Sequence, residues 1–540
     1  MCYRGIKEGQ GMAKIGGVVE RRRHPRVKLE GVVRVGGNRA RDLKVAGRDI
    51  SFGGCSFYVN GSASWTKNER IEVGVTPPRH FVDTIFDSEC TLKGRIAREG
   101  DEADSGPDRN RCVAVEFERD LREVVGGIYR RRRMRVALML PLVLLSILVL
   151  KSFNVQYYWY RPVLNVYSLT VTGYIISRFF LAFFYRPPKD VGYAPTVSFV
   201  IPVKNDEKII GQTIARCFEI DYPEEKVEVI IVNDGSTDST LAEIKKAEAR
   251  FPRLKVVSFE RNMGKRHAMA AAFRMASNEV LVCMDSDSLV GRDSIRYIVQ
   301  GFADPSVGAV CGHANVLNAE SSALAKMQEV RYYVAFQVIK AAEHVFSAVT
   351  CCSGCLSAYR RRYITDVLDP WLDQRWLNRP ATFGDDRSLT NYMLRKYRVL
   401  YDSRAVVETE VPEGWMKFFR QQLRWKRSWF RESLIAGTFM WYKHPIMALS
   451  FYLGVMLPLI SPVVVFYNFV YRPLSSGILP VYYITGFGLV SLLYSLYYAL
   501  RRPNAKWPYG FIFCFVYVVV LAWQTYFAIL TSHRNQWGTR

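Results

Sequence analysis

Five stretches of this chain are apolar almost without interruption: residues 136–150, 163–184, 446–470, 478–500 and 509–530. Each is long enough, or nearly so, to cross a bilayer as a helix. The first is the shortest and carries Pro141. Between residues 190 and 410 the pattern changes. Short apolar runs at 197–202, 227–234, 254–259 and 279–285 alternate with helical stretches and are bounded by polar or glycine positions. Such runs predict buried parallel strands of a doubly wound α/β sheet. Residues 18–120 read differently again. Their β-branched runs, as at 31–35 and 112–117, are separated by Gly and Asp/Asn turns, which predicts a small antiparallel barrel. Residues 411–445 are amphipathic and dense in Trp, Phe, Arg and Lys, the pattern of one or two interfacial helices.

The expected organisation is therefore a multidomain membrane protein. A barrel domain covers 15–125 and two membrane helices cover 134–185. An α/β domain follows over 190–410, with interfacial helices over 411–445, further membrane helices over 446–530 and a tail over 531–540. The basic, Gly-rich N-terminus is not read as a signal peptide.

The formal charge of +24 invites a nucleic-acid partner. Much of that excess is juxtamembrane, however, and suits membrane lipid. No stacking or zinc module of the nucleic-acid-binding kind accompanies it, so none is expected. Arg130, Arg131, Arg132, Arg133 and Arg135 precede the first apolar run, and Arg186 and Lys189 follow the second. By the positive-inside rule, region 190–445 faces the cytoplasm from the plasma (inner) membrane. Three more spans would carry the C-terminus outside unless one is re-entrant, and 446–470, with Pro458 and Pro462, is the expected one. Arg178, inside the second run, either snorkels to the interface or lines a polar conduit. The eleven cysteines show no framework spacing and read as buried small hydrophobes, including the Cys352-Ser-Gly-Cys355 pair.

Two acidic clusters carry candidate chemistry. Asn233-Asp234-Gly-Ser-Thr-Asp238 follows Val-Ile-Ile-Val, and Asp285-Ser-Asp287 follows Val-Leu-Val-Cys-Met. Ligands of open α/β sheets bind outside the carboxyl ends of the strands. Alternate carboxylates there can converge on a hard divalent cation and leave positions for phosphate oxygens. Together they point to a nucleotide-diphosphate site.

These clusters fall in a longer series: Pro202-Val-Lys-Asn-Asp-Glu207, the Asp234 turn, Asp285-x-Asp287, Gly384-Asp385-Asp386 and Gln421-Gln-Leu-Arg424-Trp425. In that order they resemble the processive family 2 glycosyltransferases, over about residues 195–430 and the flanking spans. Residues 262–268, 352–361, 383–391 and the terminal Trp537-Gly-Thr-Arg540 are similar to the hyaluronan synthase and chito-oligosaccharide synthase branch. The resemblance implies a GT-A catalytic fold, an inverting reaction, a nucleotide-sugar donor, expected to be a UDP-sugar, and a growing polysaccharide. It implies that Asp234 reads uracil and ribose, and that Lys265 and Arg266 face the phosphates. Asp285 and Asp287 would hold Mg²⁺ or Mn²⁺. Asp386, beside Asp385, would be the general base for the acceptor hydroxyl. Gln421, Arg424 and Trp425 would close the site, with Trp425 on the acceptor sugar and Arg424 on the diphosphate. The tail would lie on the cytoplasmic side near the nucleotide, which requires a re-entrant segment; without one, the terminal match is fortuitous. Which sugar is polymerised is not legible. A transferase adding one sugar to a lipid carrier, or an inactive receptor scaffold, are the alternatives.

Near the N-terminus, Glu20-Arg-Arg-Arg-His-Pro-Arg26 is followed by Asp49-Ile-Ser-Phe-Gly-Gly54. This resembles a PilZ domain, which implies cyclic di-GMP as an allosteric ligand. Arg22 and Arg26 can grip phosphates and stack on guanine. Asp49 and Ser51, with Gly54 completing the motif, offer hydrogen bonds to guanine edges.

Overall fold

The computed structural model describes residues 27–28, 32–37, 40–51, 54–59, 69–75, 90–101, 111–156, 159, 161–477, 479–502 and 504–534. The chain divides into two compact units, Met1–Pro141 with Ala499–Trp507, and Leu142–Tyr498 with Pro508–Arg540.

In the first unit the described strands are β1 (Val27–Lys28), β2 (Val32–Gly37), β3 (Ala40–Ser51), β4 (Gly54–Val59), β5 (Arg70–Val75), β6 (Cys90–Asp101) and β7 (Arg111–Phe117). They pair antiparallel in the order β1-β3-β2-β5-β6-β7-β4, and β4 returns to pair with β3. That last pairing closes a six-stranded barrel and removes its open edges. Alternation along each strand builds the interior. In β5, Ile71 and Val73 point inward while Arg70 and Glu72 face water. Val35, Ile50, Phe57, Leu92 and Val115 complete the core, joined by Leu121 and Val125 from the helix Leu121–Gln156.

The second unit holds an eight-stranded sheet. Its strands are β8 (Val197–Val203), β9 (Val227–Asp234), β10 (Leu254–Phe259), β11 (Val280–Cys283), β12 (Ser288–Val290), β13 (Val307–Val316), β14 (Ser357–Arg360) and, after a small hairpin of β15 (Arg375–Trp376) and β16 (Arg379–Pro380), β17 (Arg398–Thr409). The order is β10-β9-β8-β11-β14-β13-β17-β12. Every residue of β8 and β9 is buried, as strands covered on both faces must be. β10, β9, β8 and β11 run parallel, as predicted. The sheet as a whole is mixed, because β14 inserts antiparallel between β11 and β13, and β12 runs antiparallel to β17. Since β9, β8 and β11 share one direction, the two acidic clusters emerge at the same edge.

Among the described residues, four helices are long and apolar enough to cross a membrane: Glu123–Gln156, Pro162–Phe183, Pro445–Ser476 and Val481–Arg501. A fifth candidate is the pair Trp507–Leu521 and Gln524–Leu530, bent by 45°. This is the helix content of a multi-pass membrane protein. Leu138, Leu142, Leu145 and Leu148 stand exposed along the first helix, as side chains facing lipid would. That helix is much longer than the 136–150 run and includes the arginines at 130–135. The break expected within 446–470 lies elsewhere among the described residues. Pro458 and Pro462 lie inside the continuous helix Pro445–Phe466, whereas the break follows a π-helical turn at Tyr517–Leu521 that contains no proline. Such turns bend helices by disturbing the i→i−4 ladder. Region 411–445 forms one long helix, Trp415–Gly437, and a short turn, Met440–Tyr442. The terminal motif Trp537–Arg540 lies outside the described residues.

Candidate active site

Asp234 ends β9 with 4 % of its surface exposed. Its Oδ1 accepts from the Met263 amide at 2.7 Å and its Oδ2 from the Gly264 amide at 3.0 Å. Beside it, a Cβ on Gly235 would lie 2.5 Å from the Arg261 carbonyl carbon and the Asn262 nitrogen, so only glycine lets the two loops touch. Asp234 thus anchors the loop that opens helix Lys265–Met275. The carboxylate expected to read uracil and ribose is thus held in place by amides some thirty residues downstream. The first two motifs also interlock. Asn205 Oδ1 accepts from the Thr237 amide at 2.9 Å, and Glu207 Oε2 accepts from the Ser239 amide at 2.9 Å.

Lys265 and Arg266, adjacent on the helix, part company. The half-buried Lys265 ammonium donates to Asp285 Oδ1. Burial alone would lower its pKa, but the Asp285 carboxylate, with Asp385 and Asp386 farther off, holds it above the ordinary lysine value. Arg266 turns inward instead. It pairs with Asp385 at 2.7 Å, donates to the Trp371 carbonyl at 2.9 Å and to Gln374 Oε1 at 3.1 Å, and lies 5.0 Å from the Trp371 ring centre. Arg266, expected to face the phosphates, and Asp385, expected beside the base, are thus buried against each other. Two buried charges of opposite sign satisfy each other.

Asp285 and Asp287 stand past the end of β11, with Thr409 Oγ1 of β17 at 3.5 Å from Asp287 Oδ1. Gly354 closes over this corner. A Cβ there would lie 3.1 and 3.2 Å from the Asp285 carboxylate oxygens and 3.4 Å from Lys265 Nζ. The sequence reading missed it, since Cys352 and Cys355 read as buried small hydrophobes and the glycine between them carries no side chain to mark a site. Among the described residues, no group of three or more His, Cys, Asp or Glu side chains is arranged to hold a metal ion.

Asp386, partly exposed in the first turn of helix Asp385–Lys396, accepts from the Arg387 amide at 2.8 Å and from Cys351 Sγ at 3.6 Å. It lines one small cleft together with Lys265, Gly354, Cys283 and Tyr359. Gly384 precedes the helix with φ 81°, a left-handed backbone, and a Cβ there would meet Ser428 Cβ at 2.4 Å. Helix Trp415–Gly437 therefore packs directly on this turn. The Arg431 guanidinium donates to the Phe383 carbonyl, and Asn391 Nδ2 donates to the Glu432 carbonyl and to Glu432 Oε2, each at 3.0 Å. Gln421, Arg424 and Trp425 occupy positions i, i+3 and i+4 of that helix, so they share a face, all three half-buried.

Residues 194–428 match the family described as Glycosyltransferase like family 2, and residues 20–143 match the PilZ domain. The chain carries a family 2 glycosyltransferase domain and an N-terminal PilZ domain. It is similar to hyaluronan synthase of Streptococcus pyogenes, 29 % identical over 409 residues that cover 74 % of this chain and 97 % of that one. It is also similar to an N-acetylglucosaminyltransferase of Rhizobium meliloti, 32 % identical over 285 residues covering 51 % and 66 %. Among solved structures, the mannosyltransferase PcManGT from Pyrobaculum calidifontis, in complex with GDP-Man and Mn²⁺, is 21 % identical with a TM-score of 0.46. The overlap covers 66 % of this chain and 99 % of that one.

The mixed sheet of this glycosyltransferase, with both acidic clusters at one edge, is the GT-A-like catalytic fold, and the closed six-stranded barrel belongs to the PilZ region. Of the PilZ motif residues, Ser51 is buried and pairs across the β3–β4 turn with Gly54, and Asp49 lies two residues earlier in β3. Arg22 and Arg26 lie outside the described residues.

Proposed function

We propose that this glycosyltransferase is a cyclic di-GMP-regulated, metal-dependent, inverting polysaccharide synthase. It would draw on nucleotide sugars, with UDP the expected nucleotide, and pass a growing polymer into the plasma (inner) membrane from the cytoplasmic side.

One observation carries this reading. A cavity of about 180 Å³ has walls that change from catalytic helix to apolar helix. Arg387 and Asn391 come from helix Asp385–Lys396, immediately after Asp386, and Trp429 and Ser433 come from helix Trp415–Gly437. Tyr174 comes from Pro162–Phe183 and Phe451 from Pro445–Phe466. Aromatic faces beside amide, hydroxyl and guanidinium groups suit a saccharide chain. Arg178 supports the same path. It is 3 % exposed, which argues against snorkelling, and its guanidinium lies 5.2 Å from the ring of Tyr174, which lines the cavity. Intramembrane charge of this kind ordinarily faces a polar route.

The chemistry follows from the chain's own groups. Asp386 accepts the proton of the acceptor hydroxyl as its oxygen bonds to the anomeric carbon. The bond from that carbon to the diphosphate breaks on the opposite face, and the diphosphate leaves with the electron pair. One attack from one side inverts the anomeric centre. Lys265 places positive charge near the leaving group. Asp285 and Asp287 would supply two hard oxygen ligands, which suit Mg²⁺ or Mn²⁺. Such a cation would offset charge on the departing diphosphate.

The test uses the full-length protein in lipid nanodiscs with Mg²⁺ or Mn²⁺, cyclic di-GMP and a panel of nucleotide sugars, with product length measured. The expected product is a long polymer. Asp386→Asn should lower transfer by roughly 10²- to 10⁴-fold while donor binding persists. A single sugar added to a lipid carrier would overturn processive synthesis, and no transfer from any donor would leave a receptor scaffold.

A further inference from the structure

Trp425 is held by more than its own helix. The Arg331 guanidinium, from helix Ala323–Val334, lies 5.5 Å from the centre of the Trp425 ring. The same guanidinium lies 5.5 Å from the ring of Phe513, in the bent apolar pair. A cation shared between two aromatic faces fixes them relative to each other. Phe513 rests on packed ground, in a buried cluster with Leu324, Met327, Phe418 and Leu521.

The bent pair grips the helix around Trp425 at further points. Lys426 Nζ donates to the Leu521 carbonyl, at the end of the π-helical turn, and to Thr525 Oγ1 at 2.9 Å. Gln524 donates to the Phe419 carbonyl at 3.0 Å, and Arg427 Nε donates to Thr531 Oγ1 at 3.0 Å. These bonds flank Trp425 on both sides in sequence, yet none touches its ring. Among the described residues the ring's cationic contact is Arg331.

We propose that Arg331 is a positioning residue for the Trp425 platform: gripped between Trp425 and Phe513, it sets the angle at which the ring meets a saccharide acceptor. The inference rests on the reading that this chain elongates a saccharide seated on Trp425. It goes beyond that reading by assigning the orientation of the seat to Arg331 and the last apolar pair. A ring whose tilt is free would still stack on a sugar, but it would lose the acceptor more often between additions. Arg331 thus bears on how long each chain stays engaged, and the donor side of the cleft is left alone.

The experiment uses full-length protein in nanodiscs with UDP-N-acetylglucosamine, UDP-glucuronate and UDP-glucose, singly and in pairs. UDP release and product length are recorded together. Arg331→Leu is expected to shorten the product roughly 3- to 10-fold, the scale of one lost cation–π contact, with the donor KM unchanged. Arg331→Lys, which keeps a cation over the ring, should restore much of the length. Phe513→Leu, which removes the other face of the grip, should shorten the product while Trp425 and Arg331 remain. A purely structural role would lower the yield of active protein and leave product length as in the wild type. Wild-type length from Arg331→Leu, or a shortening that Arg331→Lys does not relieve, overturns the proposal. If Arg331→Leu fails to fold, Arg331→Lys and Phe513→Leu decide in its place, and wild-type length from Phe513→Leu overturns the grip. If the wild type makes no polymer from any donor combination, the polymerase reading itself fails.

Discussion

Arg266 and Asp385 meet at 2.7 Å with 3 % and 4 % of their side chains exposed. Each is the sequence neighbour of a group on the cleft, Lys265 on one side and Asp386 on the other. Successive helix positions diverge by about 100°. One residue of each pair can therefore face the cleft while the other pins its helix to the opposite one. Removing one partner strands a buried charge, so Arg266→Met or Asp385→Asn should cost about 3–5 kcal/mol of stability. Thermal or denaturant unfolding of the purified protein measures it. The double replacement should cost less than the two single ones added together, and strict additivity would mean the pair is not coupled.

Gly354→Ala should impair transfer more than it impairs folding. The new methyl would press on the Asp285 carboxylate at 3.1 Å and on Lys265 Nζ at 3.4 Å, and a few tenths of an ångström must be found there. Misplacement of that order at a reacting centre should lower kcat/KM by about 10-fold. Transfer rate against Mn²⁺ concentration should shift to the right. An unchanged curve would detach Gly354, and with it Asp285, from the phosphate side.

Much of this was written plainly along the chain. β8 and β9 are legible because each is a short, mostly apolar run, β9 ending at the Asp234 carboxylate, and the barrel because Ile71 and Val73 alternate with Arg70 and Glu72. β14 is not legible. It has four residues and ends in Arg360, whose guanidinium is buried only because Glu279 and the Phe302 carbonyl, both remote in sequence, receive it. Arg266 misleads for the same reason: its partners, Asp385, Trp371 and Gln374, are more than a hundred residues away. The break in the apolar helices was sought at prolines, which a helix in protein or lipid surroundings can absorb. It occurs instead at Tyr517–Leu521, where no residue type announces a π-helical turn.

His344 predicts an acid limb in stability. It packs edge-on against Tyr185, ring centres 5.0 Å apart, and its Nδ1 accepts the Tyr401 amide at 2.9 Å, which requires that nitrogen to be unprotonated. Burial lowers its pKa from 6.5 to about 4; a backbone hydrogen bond at Arg186 opposes the shift and the Arg398 charge adds to it. The unfolded chain thus takes up this proton near pH 6.5 and the folded chain only near 4. Stability from the neutral ring is fully present above 6.5 and is lost as pH falls through 4. His344→Asn, which keeps a hydrogen-bond acceptor, should flatten the fall in melting temperature over that window. A fall of undiminished slope would assign the acid sensitivity to other groups.

Arg22→Ala combined with Arg26→Ala should weaken cyclic di-GMP binding by roughly 10²-fold or more, since two charge-assisted contacts to phosphate are lost. Calorimetry on the full-length protein measures it directly. Glycosyltransfer in the absence of the ligand should survive the double replacement, whereas its response to added cyclic di-GMP should vanish. Undiminished binding would show that the two arginines serve another partner, with anionic lipid the first to try.

Gly384 has a consequence for motion. With no side chain between them, the turn before Asp386 and the helix bearing Trp425 are in backbone-scale contact, and Arg431, Asn391 and Glu432 lace the same two helices together. A piston stroke of one helix along the other would drive Ser428 into the turn and break every one of those bonds. Asp386 and Trp425 therefore stand on two helices that act as a single rigid anvil. On the proposed reading, a product advancing by one sugar would slide across that stationary surface.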